Sequence, residues 1–227
     1  MRETWKPGDS IARFIDHICL QPSATAIEMG RVCEEAVTYA IRSLNISGYW
    51  VYACKEQLSG TNVFISAVCG TPTGSTTRVK VYEAMEAIDD GADEIEMTVP
   101  VGAVKEGRFG LLSNDITAVV RAAEGRAAIK VAIQAHLLTA QQLSEVTSIA
   151  EAAGASYIQN ESSYYEGSVS LIDLKRIGEA KTRGMGLIAC GAILNRESAY
   201  QMLAAGADRI ATRAAPIILL SDPTSAL

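Results

Sequence analysis

Gly91-Ala92-Asp93-Glu94-Ile95, Gly154-Ala155-Ser156-Tyr157-Ile158 and Gly206-Ala207-Asp208-Arg209-Ile210 are three copies of one five-residue phrase. Each follows an alanine-rich amphipathic stretch and opens a short apolar run. A glycine just past a helix can take the left-handed conformation that closes the last turn. The apolar run after it reads as a buried strand. Outward from these joints, strands are expected at about 14–20, 48–54, 63–69, 94–99, 128–136, 156–160, 186–192 and 209–212. Helices are expected between them. One runs to about Leu44 behind a Thr25/Glu28 capping pair. Others cover 77–89, 115–123, 140–153, 171–183 and, capped by Asn195, the stretch to Ala205. Residues 55–61 leave room for little more than one helical turn, 100–113 read as a loop, and Pro216 marks a helix start in the apolar tail. Eight strands with intervening helices require a parallel sheet with right-handed crossovers. The expected fold is a single (β/α)8 TIM barrel over residues 1–227, with its core at about 14–215. An open doubly wound sheet is disfavoured, because no Gly-x-Gly-x-x-Gly follows the first strand.

Composition narrows the function classes. Hydrophobic residues make up 48% and charged residues 20%, as in a globular protein without a membrane span. Residues 1–7 carry no apolar leader, and the five cysteines are scattered, which fits reduced thiols in a cytoplasmic protein. A net charge of −6 without basic clusters argues against nucleic acid. Two histidines without zinc-type spacing argue against a metal. No cofactor is implied. A small-molecule substrate is the expected partner, and a homo-oligomer such as a dimer is compatible with the chain.

In a barrel of this kind the active site lies at the C-terminal ends of the strands. Polar residues inside apolar strands are therefore the candidates. Strand four carries Glu96, strand five carries Lys130, Gln134 and His136 on one face, and strand six carries Gln159 followed by Asn160. A buried unpaired charge is costly, so Glu96 and Lys130 are expected to pair. A desolvated lysine can serve as base or imine-forming nucleophile; the alternative is a structural ion pair. Asp16 is either catalytic or a carboxylate at a strand end, and His17 points the opposite way. Cys190 reads first as a small buried residue. Gly191 and Arg213, after strands seven and eight, are candidates for anion binding. Tyr164 and Tyr165, with Tyr157, Tyr49, Trp50 and Tyr52, would suit a planar substrate or simply fill core.

The run Ile15-Asp16-His17 through Leu20-x-Pro22-x-Ala24-Thr25 resembles the opening of deoxyribose-phosphate aldolases. So do Gly70-x-Pro72-x-Gly74, the Gly-Ala phrases and Ile129-Lys130-Val131, in order, from about residue 14 to 215. The resemblance implies a cofactor-free class I aldolase that joins or splits acetaldehyde and glyceraldehyde 3-phosphate through a lysine imine. At the family's imine lysine this chain has Gln159, and at its second lysine Ile188. The family's aspartate on strand four is matched by Glu96, whereas Lys130 and Asp16 are retained. Its phosphate loop is matched by Asn160-Glu161-Ser162-Ser163-Tyr164-Tyr165, its Gly-Gly by Gly191-Ala192, and its Ser-Ser by Arg213-Ala214.

Three functions compete. In the first, a divergent aldol-type lyase acts on a small carbonyl compound, with an imine relocated to Lys130, held by Asp16 and assisted by Glu96. In the second, a non-imine isomerase, dehydratase or cyclase uses Glu96 as acid or base, with Gln134, Gln159 and Asn160 as hydrogen-bonding groups. In the third, the barrel no longer catalyses and serves as a binding protein.

Overall fold

A computed structural model describes residues 5–70, 74–182 and 184–220. Outside these lie residues 1–4, the 71–73 segment of the Gly70–Gly74 loop, Arg183 at the end of the expected 171–183 helix, and residues 221–227. The eight strands are β1 (Ile15–Cys19), β2 (Ser43–Ser47), β3 (Phe64–Cys69), β4 (Glu94–Thr98), β5 (Ala128–Ala132), β6 (Tyr157–Gln159), β7 (Gly186–Cys190) and β8 (Arg209–Thr212). All pairs are parallel, and β8 returns to β1 to close the barrel. The helices among the described residues are α1 (Ala26–Thr38), α2 (Val51–Gln57), α3 (Thr77–Asp89), α4 (Val101–Lys105), α5 (Phe109–Ala123), α6 (Ala140–Ala152), α7 (Leu171–Ala180), α8 (Arg196–Ala204) and α9 (Ala215–Leu220).

The repeated phrase closes its helix in the same way each time. Gly91, Gly154 and Gly206 have φ of 106°, 91° and 102°. The glycine N–H bonds back to Ile88, Glu151 and Leu203, and the next alanine N–H to Ala87, Ala150 and Met202. This is the paired Schellman pattern. The third residue then joins the preceding strand: Asp93, Ser156 and Asp208 donate their N–H to Ile65, Ile129 and Leu187. A fourth copy lacks the glycine. Ala40, at φ 52°, ends α1 with the same two bonds, Ala40 to Val37 and Ile41 to Ala36.

That fourth joint corrects the expected second strand. The strand is Ser43–Ser47, and 48–57 form a 3₁₀ turn and α2. Tyr49, Trp50 and Tyr52 are therefore on helical segments, with Tyr49 and Tyr52 exposed. The stretch read as a long loop holds α4 and the first turns of α5. Strand five ends at Ala132, so Gln134 and His136 leave the strand face. Gln134 takes a left-handed conformation and His136 lies in a 3₁₀ turn. The capping pairs at Thr25/Glu28 and Asn195/Ser198 form.

Strand alternation sorts the inward side chains into layers, each drawn from alternate strands. The fourth residue of every phrase, Ser43, Glu94, Tyr157 or Arg209, contributes to the lowest layer. Asp16, Ser66, Lys130 and Ile188 come next, and Asn45, Glu96, Gln159 and Ala211 lie above them. Ile18, Leu20, Ile188, Cys190 and Ala211 make a small apolar cluster inside the barrel. The larger apolar core lies between strands and helices.

Candidate active site

The two lower layers hold a closed set of charges. Arg209 forks Glu94 through Nη1 and Nη2 at 2.6 and 2.9 Å and reaches Asp16 through Nε at 2.9 Å. Its Nη2 also meets Asp16 and the Ser43 hydroxyl. Lys130 Nζ lies 3.0 Å from Asp16 and 2.5 Å from Glu94. All four charged side chains are buried, and two carboxylates balance two cations. Burial alone would raise the Glu94 carboxyl, but Lys130 and Arg209 outweigh it and hold the carboxyl well below the usual range. Burial would likewise lower Arg209, and Asp16 and Glu94 push it well above its ordinary value. The Arg209 guanidinium also lies 5.1 Å from the Tyr157 ring centroid.

This network corrects the expected Glu96–Lys130 pair. The two residues are register partners on β4 and β5, yet Lys130 turns down toward the strand starts. Asp16 does hold Lys130, as expected. Glu96 belongs to the layer above. Its Oε2 accepts from Asn45 Nδ2 at 2.6 Å and from the Ser163 hydroxyl, and its Oε1 accepts from the Ser163 N–H at 2.8 Å. Asn45 Nδ2 also lies 2.6 Å from Ser163 Oγ. The β6–α7 loop thus reaches into the barrel mouth, where Ser162 and Ser163 are fully buried.

Gln159 secures this loop. Its Nε2 donates to the Glu161 carbonyl at 2.7 Å and lies 3.4 Å from Ser163 Oγ. Its Oε1 and Asn45 Oδ1 are buried acceptors without a donor among the described residues. Asn160 bonds through both side-chain atoms to the Cys190 backbone, so it ties β6 to β7. The Cys190 thiol faces Ser163 Oγ at 3.9 Å, and burial pushes it well above its ordinary pKa.

The expected anion groups are engaged by the same loop. Arg213 donates to the Ser163 carbonyl at 3.0 Å and pairs with Glu166 at 2.9 Å. The N–H of Ala192 donates to the Gly167 carbonyl at 2.9 Å. Gly191, at φ 147°, lies so close that a Cβ there would stand 2.7 Å from that carbonyl. Tyr164 is partly exposed, and burial of its remainder raises its phenol pKa. His136 leaves the strand but stays at this face: its Nδ1 meets Glu161 Oε1 at 2.8 Å.

Sequence reasoning missed Asn45, Glu94 and Arg209 as site residues, and quoted Glu161 and Ser163 only within the stretch matched to the family's phosphate loop. Glu94 and Arg209 were findable, because each stands two residues from another inward position on its strand. Asn45 stands between Leu44 and Ile46 in the unrecognised second strand. Glu161 and Ser163 lie in a loop with no periodicity to mark them.

No family model matches the chain. It is 36% identical over 218 residues to a deoxyribose-phosphate aldolase of Bacillus cereus (strain AH187), covering 96% of this chain and 98% of that one. It is 37% identical over 199 residues to a deoxyribose-phosphate aldolase of Enterococcus faecalis (strain ATCC 700802 / V583), covering 87% and 90%. Among solved structures it resembles the tetrameric deoxyribose phosphate aldolase of Aeropyrum pernix, with a TM-score of 0.85 and 26% identity over 93% of this chain and 90% of that one. It also resembles the aldolase QR15, with a TM-score of 0.86 and 25% identity over 92% and 93%.

Proposed function

The chain belongs to the deoxyribose-phosphate aldolase family, and on that premise we propose a carbon–carbon lyase for a small hydroxylated carbonyl compound, working without a lysine imine. The observation that carries this reading is the division of labour between layers. Lys130 is buried and engaged by Asp16 and Glu94, whereas Glu96 faces the mouth and already accepts a hydroxyl from Ser163. Imine formation needs a free amine, so at Lys130 it would first have to break two buried ion pairs. Gln159, at the family's imine position, has no nucleophilic amine.

In the cleavage direction, Glu96 takes the proton of the substrate hydroxyl, the carbon–carbon bond breaks, and an aldehyde and an enolate result. The Ser163 hydroxyl stands in for the substrate hydroxyl on Glu96 and turns aside when substrate enters, while its loop stays anchored through Gln159. Asn45 Oδ1 and Gln159 Oε1 are buried acceptors suited to further hydroxyls. The substrate reads as unphosphorylated, because Arg213 and the Ala192 N–H are already met by Glu166 and loop carbonyls.

Glu96→Gln is expected to lower cleavage of small β-hydroxy aldehydes by roughly 10²–10⁴-fold while circular dichroism remains that of the folded protein. Borohydride with acetaldehyde should leave no reduced adduct at Lys130. A reduced adduct at Lys130 would instead establish the relocated imine, and undiminished turnover by Glu96→Gln would remove Glu96 from the mechanism.

A further inference from the structure

His136 and Glu161 come from the loops after β5 and β6, so both stand at the C-terminal face of the barrel. The His136 backbone N–H and ring Nδ1 converge on one carboxylate oxygen, Glu161 Oε1, at 3.1 and 2.8 Å. The Tyr165 ring stacks on the imidazole with centroids 4.3 Å apart and planes 8° from parallel. The two loops are fixed to each other and to the barrel. Ala135 N–H donates to the Asn160 carbonyl at 2.7 Å, and Gln159 holds the Glu161 carbonyl. The result is an imidazole with its ring orientation set and Nδ1 supplied with an acceptor. Nε2 has no partner among the described residues, on a side chain that is 35% exposed.

A surface His–carboxylate pair would look different. The Glu161 side chain is only 3% exposed, and its second oxygen, Oε2, is buried without a partner among the described residues. A carboxylate kept dry and half-satisfied is costly unless it acts on a neighbour. Here that neighbour is a histidine whose other nitrogen has no partner among the described residues, on a side chain that solvent reaches. A base held by an orienting carboxylate is the arrangement by which active sites set the tautomer of a catalytic imidazole.

We propose that His136, oriented by Glu161 and braced by Tyr165, is a second proton-transfer residue at the C-terminal face of the barrel and completes the work of Glu96. The proposal rests on the lyase reading above and completes its proton balance. In the cleavage direction Glu96 accepts the hydroxyl proton as the carbon–carbon bond breaks. His136, protonated at Nε2, then delivers a proton to the enolate carbon and is left neutral. Exchange of both groups with solvent restores the starting state. In the condensation direction His136 Nε2 removes the α-proton and Glu96 protonates the new alkoxide. The other titratable groups beside the pair are Tyr165 on the ring face, Asp173 of α7, whose charge acts on Glu161, and the Cys190 thiol of β7, which the Glu161 charge acts on. The Glu166–Arg213 pair lies on the same loop.

The chain has two histidines, and His17 is buried, so imidazole signals can be assigned with a single variant. Long-range ¹H–¹⁵N spectra should place the proton of neutral His136 on Nδ1, and Glu161→Gln should move it toward Nε2. A wild-type Nε2–H tautomer overturns the proposal. The second arm follows α-proton exchange of acetaldehyde in D₂O by NMR, with folding checked by circular dichroism. His136→Gln should slow exchange at least 100-fold. Glu161→Gln should slow it at least 10-fold and shift its pH profile, mainly through kcat. If His136→Gln exchanges at the wild-type rate while Glu96→Gln fails in cleavage, the histidine role is overturned and the lyase reading stands. If His136→Gln is slow while Glu96→Gln cleaves normally, the histidine role stands and the Glu96 assignment falls. A wild-type protein that exchanges nothing overturns the histidine role, and the cleavage assay then judges Glu96 alone.

Discussion

Two inward- and outward-facing neighbours on β1 illustrate how one residue step changes chemistry. Asp16 points into the barrel and takes two cations, whereas His17 points outward, is buried, and bonds to the Thr212 backbone. Burial pushes the His17 imidazole down to about 4, and the Thr212 bond opposes this only in part. The folded state therefore excludes a proton that the unfolded chain accepts near its ordinary pKa of about 6.5. The stability held by neutral His17 is complete above that pH. It is lost as pH falls from there toward 4, and no further slope arises below. At about 1.4 kcal/mol per pH unit the loss comes to roughly 3 kcal/mol. The gap in unfolding free energy between wild type and His17→Gln, read from urea titrations at pH 7 and pH 4, should change by about that amount. A gap that is the same at both pH values would mean that His17 does not resist protonation.

Among the elements, the joint between α1 and β2 differs from its three sisters by a single Cβ. Ala40 occupies the left-handed conformation that glycine fills at 91, 154 and 206. An alanine there costs about 1–2 kcal/mol in local sterics, part of which glycine returns as unfolded-state entropy. Ala40→Gly should raise the unfolding free energy by about 1 kcal/mol. A lower melting temperature in that variant would contradict this account. The same Cβ explains what the chain concealed when read as letters. Without glycine, α1 seemed to continue to Leu44, and the polar–apolar alternation Ser43-Leu44-Asn45-Ile46-Ser47 did not look like a buried barrel strand. The aromatic and β-branched run at 48–52 then took its place, although those residues form helix. Where glycine marks the joint, the reading succeeded. Strands four, six and eight were located within two residues, and Glu96 and Gln159 stood out as polar residues in apolar runs. Side-chain direction was not legible, because Lys130 can reach either layer from the same Cα. Contacts made by the β6–α7 loop depend on a path that no period announces.

For the whole molecule, the charge set does what sheet hydrogen bonds alone cannot: it joins four strands across the barrel axis. Asp16 is on β1, Glu94 on β4, Lys130 on β5 and Arg209 on β8. A chain ended after Ala205 would lose β8 and leave Asp16 and Glu94 buried against Lys130 alone, with β1 and β7 as open edges. It should show no cooperative unfolding transition in urea; a sharp transition would mean that seven strands suffice. The contact between Arg209 and Asp16 spans 193 residues of chain. On a ribosome, which adds about 5–20 residues per second, the carboxylate would wait roughly 10–40 seconds for its guanidinium. Through that interval the nascent chain carries an unsealed, partly charged interior. The barrel's last-made strand is thus its locking piece, and the period before it arrives is when the newborn polypeptide most needs a chaperone.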